Sequence, residues 1–210
     1  GRVLLKGPMA LGGEVLLGNY SGYTRVASLT PFLLPGGDAT VRHPGRTALA
    51  LLHAHDIPWE RAPHLAQRYS ASEQRVLRAQ LDRRIGSSET TSMGRLLDAC
   101  SALLGIRQDT TYEGQAAIEL EREAVRGAAH DTHPETAMAS PALTFPLIAA
   151  GDGRLLLDSS SLIEYLLAAR ADGADVSQLA YTIHTTIADA MVGVAVQCRD
   201  RYGTHPIGLT

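Results

Sequence analysis

The sequence predicts a helix-rich α+β domain, on three observations. Two pairs of short apolar runs joined by small polar or glycine-containing links read as β-hairpins. Several longer stretches carry apolar residues at helical spacing between recognisable caps. No internal repeat or low-complexity tract divides the 210 residues, whose 45% apolar and 20% charged content is that of a globular chain able to bury a real core.

Glu14 to Asn19 and Tyr23 to Leu29, rich in Val, Leu and Tyr and separated by Tyr20-Ser21-Gly22, form the first expected hairpin. Pro35-Gly36-Gly37-Asp38 then breaks regular structure, and Arg46 to Ala54 returns to helical spacing at Ala48, Leu49, Leu51 and Leu52. Ser72 is expected to cap a second helix to about Arg84, with Val76, Leu77 and Leu81 on its apolar side. Thr90-Thr91-Ser92 offers cap oxygens to a third helix, Met93 to Leu104, which Gly105 closes. A fourth covers Glu113 to Arg126, with Glu119–Arg122 and Glu123–Arg126 as surface pairs at i,i+3. His130 to Pro141 reads as a loop. Phe145 to Ala149 and Arg154 to Asp158, around Gly151-Asp152-Gly153, form the second hairpin. Ser159 to Ser161 precede a helix from Leu162 to Ala169, and a long helix from Val176 to Tyr202 ends at Gly203 before a strand-like Ile207 to Leu209. Residues 1–38 are thus a hairpin segment, 39–140 a helical segment, and 141–210 a hairpin followed by C-terminal helices.

The 19 basic and 22 acidic residues nearly cancel, and no Lys/Arg block is present, so no nucleic-acid partner is expected. One lysine, Lys6, against eighteen arginines reads as the codon bias of a GC-rich genome. Cys100 and Cys198 lie far apart with no CxxC pair, which favours free thiols in a reducing, cytoplasmic setting. No uninterrupted apolar run approaches the roughly 20 residues of a membrane span, so no membrane partner is expected. Opening at Gly1 without Met and stopping at Gly208-Leu209-Thr210, the chain reads as an internal segment of a longer protein.

The third helix carries the most information. On a helical wheel Leu96, Leu97, Cys100, Leu103 and Leu104 share one arc while Asp98 falls nearly opposite, which takes Asp98 out of the expected core. It reads either as a solvated carboxylate on an exposed face or as one turned to a cleft, where it could accept hydrogen bonds from a ribose diol. His53 with His55 and His130 with His133 lack the i,i+4 spacing of two ligands on one helix face, so no metal ligand is assigned. His53 and His55 read as helix-end capping or exposed residues, and His184, beside Ile183 and Ile187, as a satisfied, partly buried histidine. Gly12-Gly13 and Gly36-Gly37 lack a dinucleotide-binding context, and no GxSxG, P-loop or kinase motif occurs. No catalytic residue is assigned, and the residues alone stop at a soluble α+β domain.

Four collinear segments go further: Gly12-Gly13-Glu14, Leu34-Pro35-Gly36-Gly37-Asp38, Thr91-Ser92-Met93-Gly94-Arg95-Leu96-Leu97-Asp98-Ala99 and Tyr112-Glu113-Gly114-Gln115-Ala116-Ala117. Together they resemble the last, large domain of HypF-type carbamoyltransferases, the hydrogenase maturation proteins. The resemblance implies part of an actin-like ATPase (ASKHA) fold shared with the TsaD-like enzymes of tRNA threonylcarbamoyladenosine synthesis and with antibiotic O-carbamoyltransferases. It implies ATP, carbamoyl phosphate and a divalent metal in the whole protein, a carbamoyl-adenylate intermediate, and a HypE-like acceptor whose C-terminal cysteine is carbamoylated on the route to [NiFe]-hydrogenase. Mapped by motif, Asp98 would bind the ribose hydroxyls and Gly114 and Gln115 would border the adenosine. Glu14, Ser92, Gly94 and Arg95 match the pattern with a structural or cleft-lining role.

The departures are equally specific. The family's metal-binding histidine pair, its Asp-Gly-Thr-Gly phosphate loop and its Gly-Gly-Val-Phe-Gln-Asn segment are not in these 210 residues, and Leu11 stands where a Trp is usual. No cofactor site is expected to be complete, and the isolated chain is expected to lack carbamoyltransferase activity. The alternatives are a truncated binding or scaffold module without catalysis, and a fragment of a small-molecule O-carbamoyltransferase.

Overall fold

The computed structural model describes residues 9–10, 12–130, 143, 145–203 and 206–208. In chain order the elements are β1 (Met9–Ala10), β2 (Glu14–Asn19), β3 (Gly22–Leu29), β4 (Phe32–Pro35), α1 (Pro44–Ala54), α2 (Pro63–Ala66), α3 (Ala71–Arg83), β5 (Ser87–Thr90), α4 (Met93–Leu103), α5 (Gln115–His130), β6 (Leu147–Ala149), β7 (Leu155–Leu157), α6 (Ser160–Ala171) and α7 (Val176–Tyr202). Short 3-10 turns at Gly37–Arg42 and Trp59–Arg61 lead into α1 and α2. This is the helix-rich α+β fold expected.

Both hairpins form. In the first, Asn19 pairs with Gly22, leaving Tyr20-Ser21 as a two-residue turn in which the Ser21 N–H donates to the Asn19 side chain at 2.8 Å. The second is shorter than expected, with Leu147 to Ala149 antiparallel to Leu155 to Leu157. Parallel pairing of β3 with β7 joins the hairpins in a four-stranded sheet ordered β2-β3-β7-β6. A smaller sheet, β1-β5-β4, has β5 parallel to β1 and antiparallel to β4. Strand β5, Ser-Ser-Glu-Thr, has no apolar alternation to announce it. Its backbone is recruited by neighbours on both sides.

Helix ends move for identifiable reasons. Helix α1 begins two residues early because Pro44 fits the first turn, where no N–H partner is needed. Helix α3 is capped by Ser70 rather than Ser72: the Ser70 hydroxyl accepts from the Glu73 N–H while the Glu73 carboxylate accepts from the Ser70 N–H, a reciprocal box that Ser72 cannot make. Helix α4 has Ser92 as its cap and Gly105 at φ +79 just beyond its end. Helix α5 starts after Gly114, and α7 has the expected bounds. The strand expected over Ile207 to Leu209 does not form at residues 206–208, and Leu209 lies outside the described residues. The loop expected over His130 to Pro141 also lies outside them, save for His130 at the end of α5.

One core holds the sheets and helices together, from Ala27 and Leu29 through Leu49, Leu52 and Trp59 to Leu96, Leu103, Leu120, Leu162, Ile163 and Ile183. Burial of such side chains, at roughly 1.5–3 kcal/mol each, dominates its stability. Helix α4 lies inside it, packed on α1, α5 and α6. Helices α5 and α7 cross closely at Gly127, where a Cβ would sit 2.2 Å from the Ser177 carbonyl oxygen. By length and average apolarity α7 could cross a membrane, a property that uninterrupted apolar runs do not reveal. In this fold it commits Leu179, Ala180, Ile183, Ile187 and Val194 to the core.

Candidate functional site

The N-terminal end of α4 is where two of the four sequence segments meet, although 77 positions separate Glu14 from Thr91. Strand β5 delivers Thr90 and Thr91, both buried, to this end. The Thr90 hydroxyl accepts from the Ser92 N–H at 3.1 Å, and the Ser92 hydroxyl accepts from the Arg95 N–H at 3.4 Å. From the other side, the Thr91 hydroxyl donates to Glu14 Oε1, and Glu14 Oε2 lies 2.5 Å from Arg25 Nε. A Cβ on Gly13 would fall 2.3 Å from the Thr91 carbonyl oxygen and 2.9 Å from Leu29 Cδ1, so only glycine permits the approach. Gly12 is nearly as close, with its missing Cβ 3.3 Å from the Ser92 hydroxyl. Glu14 and the glycines therefore fasten the first hairpin to the start of α4, and Glu14 has a bracing role.

Asp98 sits just under one helical turn beyond Arg95, and it is only 3% exposed. This corrects the helical-wheel reading, which put it outside the core and offered a solvated face. The wheel assumes one apolar side and one wet side, whereas α4 is enclosed by three helices and buries Asp98 along with Ala99, Cys100, Ser101 and Ala102. Its one charged neighbour among the described residues is Arg95, with Nη1 2.9 Å from Asp98 Oδ2. That nitrogen makes no hydrogen bond of good geometry, so the pairing is one of charge rather than a directed bond. Burial pushes the Asp98 carboxyl up from its ordinary 3.8 to about 6, with Arg95 pulling the other way.

Gly114 and Gln115 lie at the entry to α5, which packs against α4. Gly114 has φ +78, a left-handed conformation that favours glycine, and open space where a Cβ would stand, the nearest atom being Ile118 Cδ1 at 3.9 Å. Gln115 is 8% exposed and already engaged at both ends of its amide. Its Oε1 accepts from the Thr111 N–H at 2.8 Å and hydroxyl at 3.2 Å, and its Nε2 donates to Glu119 at 2.9 Å. The amide is thus committed to bracing the turn that presents Gly114. No hydrogen bond joins Asp98 to Gly114 or Gln115, and two concavities on the surface, one around Arg122 and Arg170 and one around Tyr69, are not lined by any of the three.

Sequence reasoning missed the network behind Gln115. Glu119 does not form its expected close pair with Arg122. Arg107 claims it in a two-pronged contact, Nε and Nη2 donating at 2.7 and 2.8 Å. No i,i+3 or i,i+4 rule points to that partner across a loop. The Glu123–Arg126 pair does form, at 2.5 Å. His55 is neither a free surface residue nor a plain cap: its Nε2 lies 2.9 Å from the Ser159 hydroxyl, tying the end of α1 to the start of α6. His184 is satisfied by the Ala180 carbonyl at 2.8 Å, as expected of a partly buried histidine. Both cysteines are free, and burial raises the Cys100 thiol to about 12, which leaves it inert.

Residues 9–210 match the sequence profile of the family described as "Carbamoyltransferase, Kae1-like Domain, second subdomain". The chain is 32% identical over 206 residues to the "Carbamoyltransferase HypF homolog" of Cupriavidus necator, covering 95% of itself and 49% of that protein. It is 31% identical to the "Probable carbamoyltransferase HypF" of Methanocaldococcus jannaschii, covering 95% of itself and 24% of that protein. Among solved structures it resembles full-length HypF in a phosphate- and nucleotide-bound form, with TM-score 0.75 and 25% identity over 92% of this chain and 28% of that one. It resembles T. kodakarensis HypF with TM-score 0.69 and 26% identity over 93% of this chain and 25% of that one. The chain therefore spans about half or less of the length of these relatives.

Proposed function

Because this chain belongs to the HypF carbamoyltransferase family, as the second subdomain of its Kae1-like domain, we propose that it supplies the adenosine side of a carbamoyl-transfer site. In this reading the whole protein uses ATP and carbamoyl phosphate to form a carbamoyl adenylate, and passes the carbamoyl group to the C-terminal cysteine of a HypE-like acceptor. Asp98 accepts hydrogen bonds from the ribose hydroxyls, and Gly114 lets the adenosine approach the backbone without a Cβ in the way. Gln115 holds the turn that presents Gly114. A mixed anhydride leaves easily and hydrolyses easily, so the site has to exclude water, which a carboxylate set into a helical core is suited to do.

The observation that carries the reading is a buried carboxylate at the position the family motif singles out, with the Arg95 guanidinium beside it and a carboxyl pushed up to about 6. Perturbed, poorly compensated charges of this kind concentrate at functional sites. Its 3% exposure means that a ribose is admitted only by movement of side chains around α4. The solved relative bound to phosphate and nucleotide lends the ligand class its support. The described residues bring no three His, Cys, Asp or Glu side chains together, so they do not fit a complete metal site, and a divalent ion in the whole protein would need ligands from outside them. Without a phosphate loop in its sequence, the chain alone is expected to be inactive. Two free cysteines favour a cytoplasmic setting, and no nucleic-acid or membrane partner belongs to this reading.

Titration calorimetry of AMP against the chain and its Asp98→Ala variant tests it. Saturable binding weakened by about 1.5 kcal/mol or more in the variant is expected, the scale of a hydrogen bond to a charged group. Equal affinity in the two proteins would remove Asp98 from the site.

A further inference from the structure

We infer that the groove where the C-terminal ends of α4 and α6 and the start of α7 meet the middle of α5 binds a small phosphate-bearing anion, at a site separate from Asp98. The groove has a volume of about 610 Å³ and opens to solvent, a size ordinary for small-molecule clefts. In a chain of net charge −3, its walls carry Arg122, Arg126 and Arg170 against Glu119 and Glu123. On α5 the four charged positions 119, 122, 123 and 126 fall at i, i+3, i+4 and i+7, one face of the helix.

The two carboxylates are committed before any ligand arrives. Glu119 is held by the two-pronged contact from Arg107 and by the Gln115 amide. Glu123 accepts from the Ser177 hydroxyl at 2.7 Å and from Arg126 at 2.5 Å. Arg122 and Arg170, both exposed, have no carboxylate within ion-pair distance among the described residues, and Arg170 makes only a 3.3 Å contact to the Ala174 carbonyl. Two guanidiniums thus face one concavity outside ion-pair distance of any described carboxylate, although Arg122 acts on Glu119 at longer range. Guanidinium forks match phosphate oxygens in pairs, which selects a phosphate or pyrophosphate group over a single-point anion. The groove is too small and too local for a nucleic-acid backbone, whose recognition needs an extended basic track. It does not rest on the nucleotide reading of Asp98, since none of its lining residues is Asp98, Gly114 or Gln115.

Pyrophosphate is the probe, titrated calorimetrically at constant ionic strength against four proteins: the chain, Arg122→Gln/Arg170→Gln, Asp98→Ala, and Arg75→Gln/Arg83→Gln. The last removes the same charge from exposed positions on α3. Saturable binding is expected that weakens about tenfold or more in Arg122→Gln/Arg170→Gln and is unchanged in the other two variants. Absence of saturable binding, an equal loss in the α3 variant, or a loss in Asp98→Ala with the groove variant unaffected would each overturn the assignment. Failure of AMP to bind would count against the nucleotide reading alone.

Discussion

Asp98 is a carboxylate taken almost wholly out of water, with Arg95 as its one close charge among the described residues. Its folded-state carboxyl, at about 6, lies above the ordinary 3.8. The fold therefore favours the protonated form, so this residue's contribution is fully present below about pH 4 and is lost as pH rises through about 6. The loss is on the order of 3 kcal/mol, and Asp98→Asn avoids it while leaving Arg95 without its counter-charge. Urea denaturation between pH 4 and 7 is expected to show wild type losing ground to Asp98→Asn as pH rises across that window. A parallel pair of curves would mean that the carboxyl titrates as in an unfolded chain. The ionised form is the better acceptor for ribose hydroxyls, so AMP affinity should climb as pH increases from 5 to 7, the opposite trend to stability. The sequence pointed to this residue but not to its burial, because a wheel drawn for one helix cannot know that three others enclose it. Gln115 shows the same limit: the motif located it, while its engagement with Thr111 and Glu119 depends on a turn and an Arg107 contact that spacing does not encode.

The elements are fastened at two glycines with backbone rather than solvent in front of them. At Gly13 an added Cβ meets the Thr91 carbonyl at the entry to α4, and at Gly127 it meets Ser177 at the start of α7. Gly13→Ala and Gly127→Ala are each expected to cost about 1–3 kcal/mol, the range for forcing atoms into filled space. Gly151→Ala, with nothing within 4 Å, should change stability by no more than about 0.5 kcal/mol. Thermal unfolding of the three variants checks the ranking, and a Gly13→Ala chain as stable as Gly151→Ala would contradict the brace between hairpin and helix. The helices with strong apolar periodicity and clear caps were legible, α4 and α7 above all. Strand β5 was not, because Ser87 to Thr90 has strand structure only by virtue of β1 and β4 on either side. The Ser70 cap was displaced by two residues because the reciprocal bond from Glu73 decides between neighbouring serines.

At the scale of the molecule, the two small sheets and seven α-helices of the described residues share one core, and the four family segments are brought in from positions 12 to 117 to the ends of β5, α4 and α5. The family was legible from the order and wording of those segments, with no help from composition or charge. The closeness of Gly13 and Glu14 to Thr91 explains why segments so far apart in sequence occur together: each completes the other's packing. The groove of Arg122 and Arg170 had no such signal, since its charges come from separate helices that only the fold assembles. Recognition of a ribose diol by Asp98 is best probed by comparing AMP with its 2′,3′-dideoxy analogue on wild type and on Asp98→Asn. Removing the hydroxyls should weaken binding to wild type about tenfold, near 1.4 kcal/mol, and should weaken binding to the variant little further, because the partner is already gone. Losses that simply add, or a wild-type chain indifferent to the hydroxyls, would contradict it.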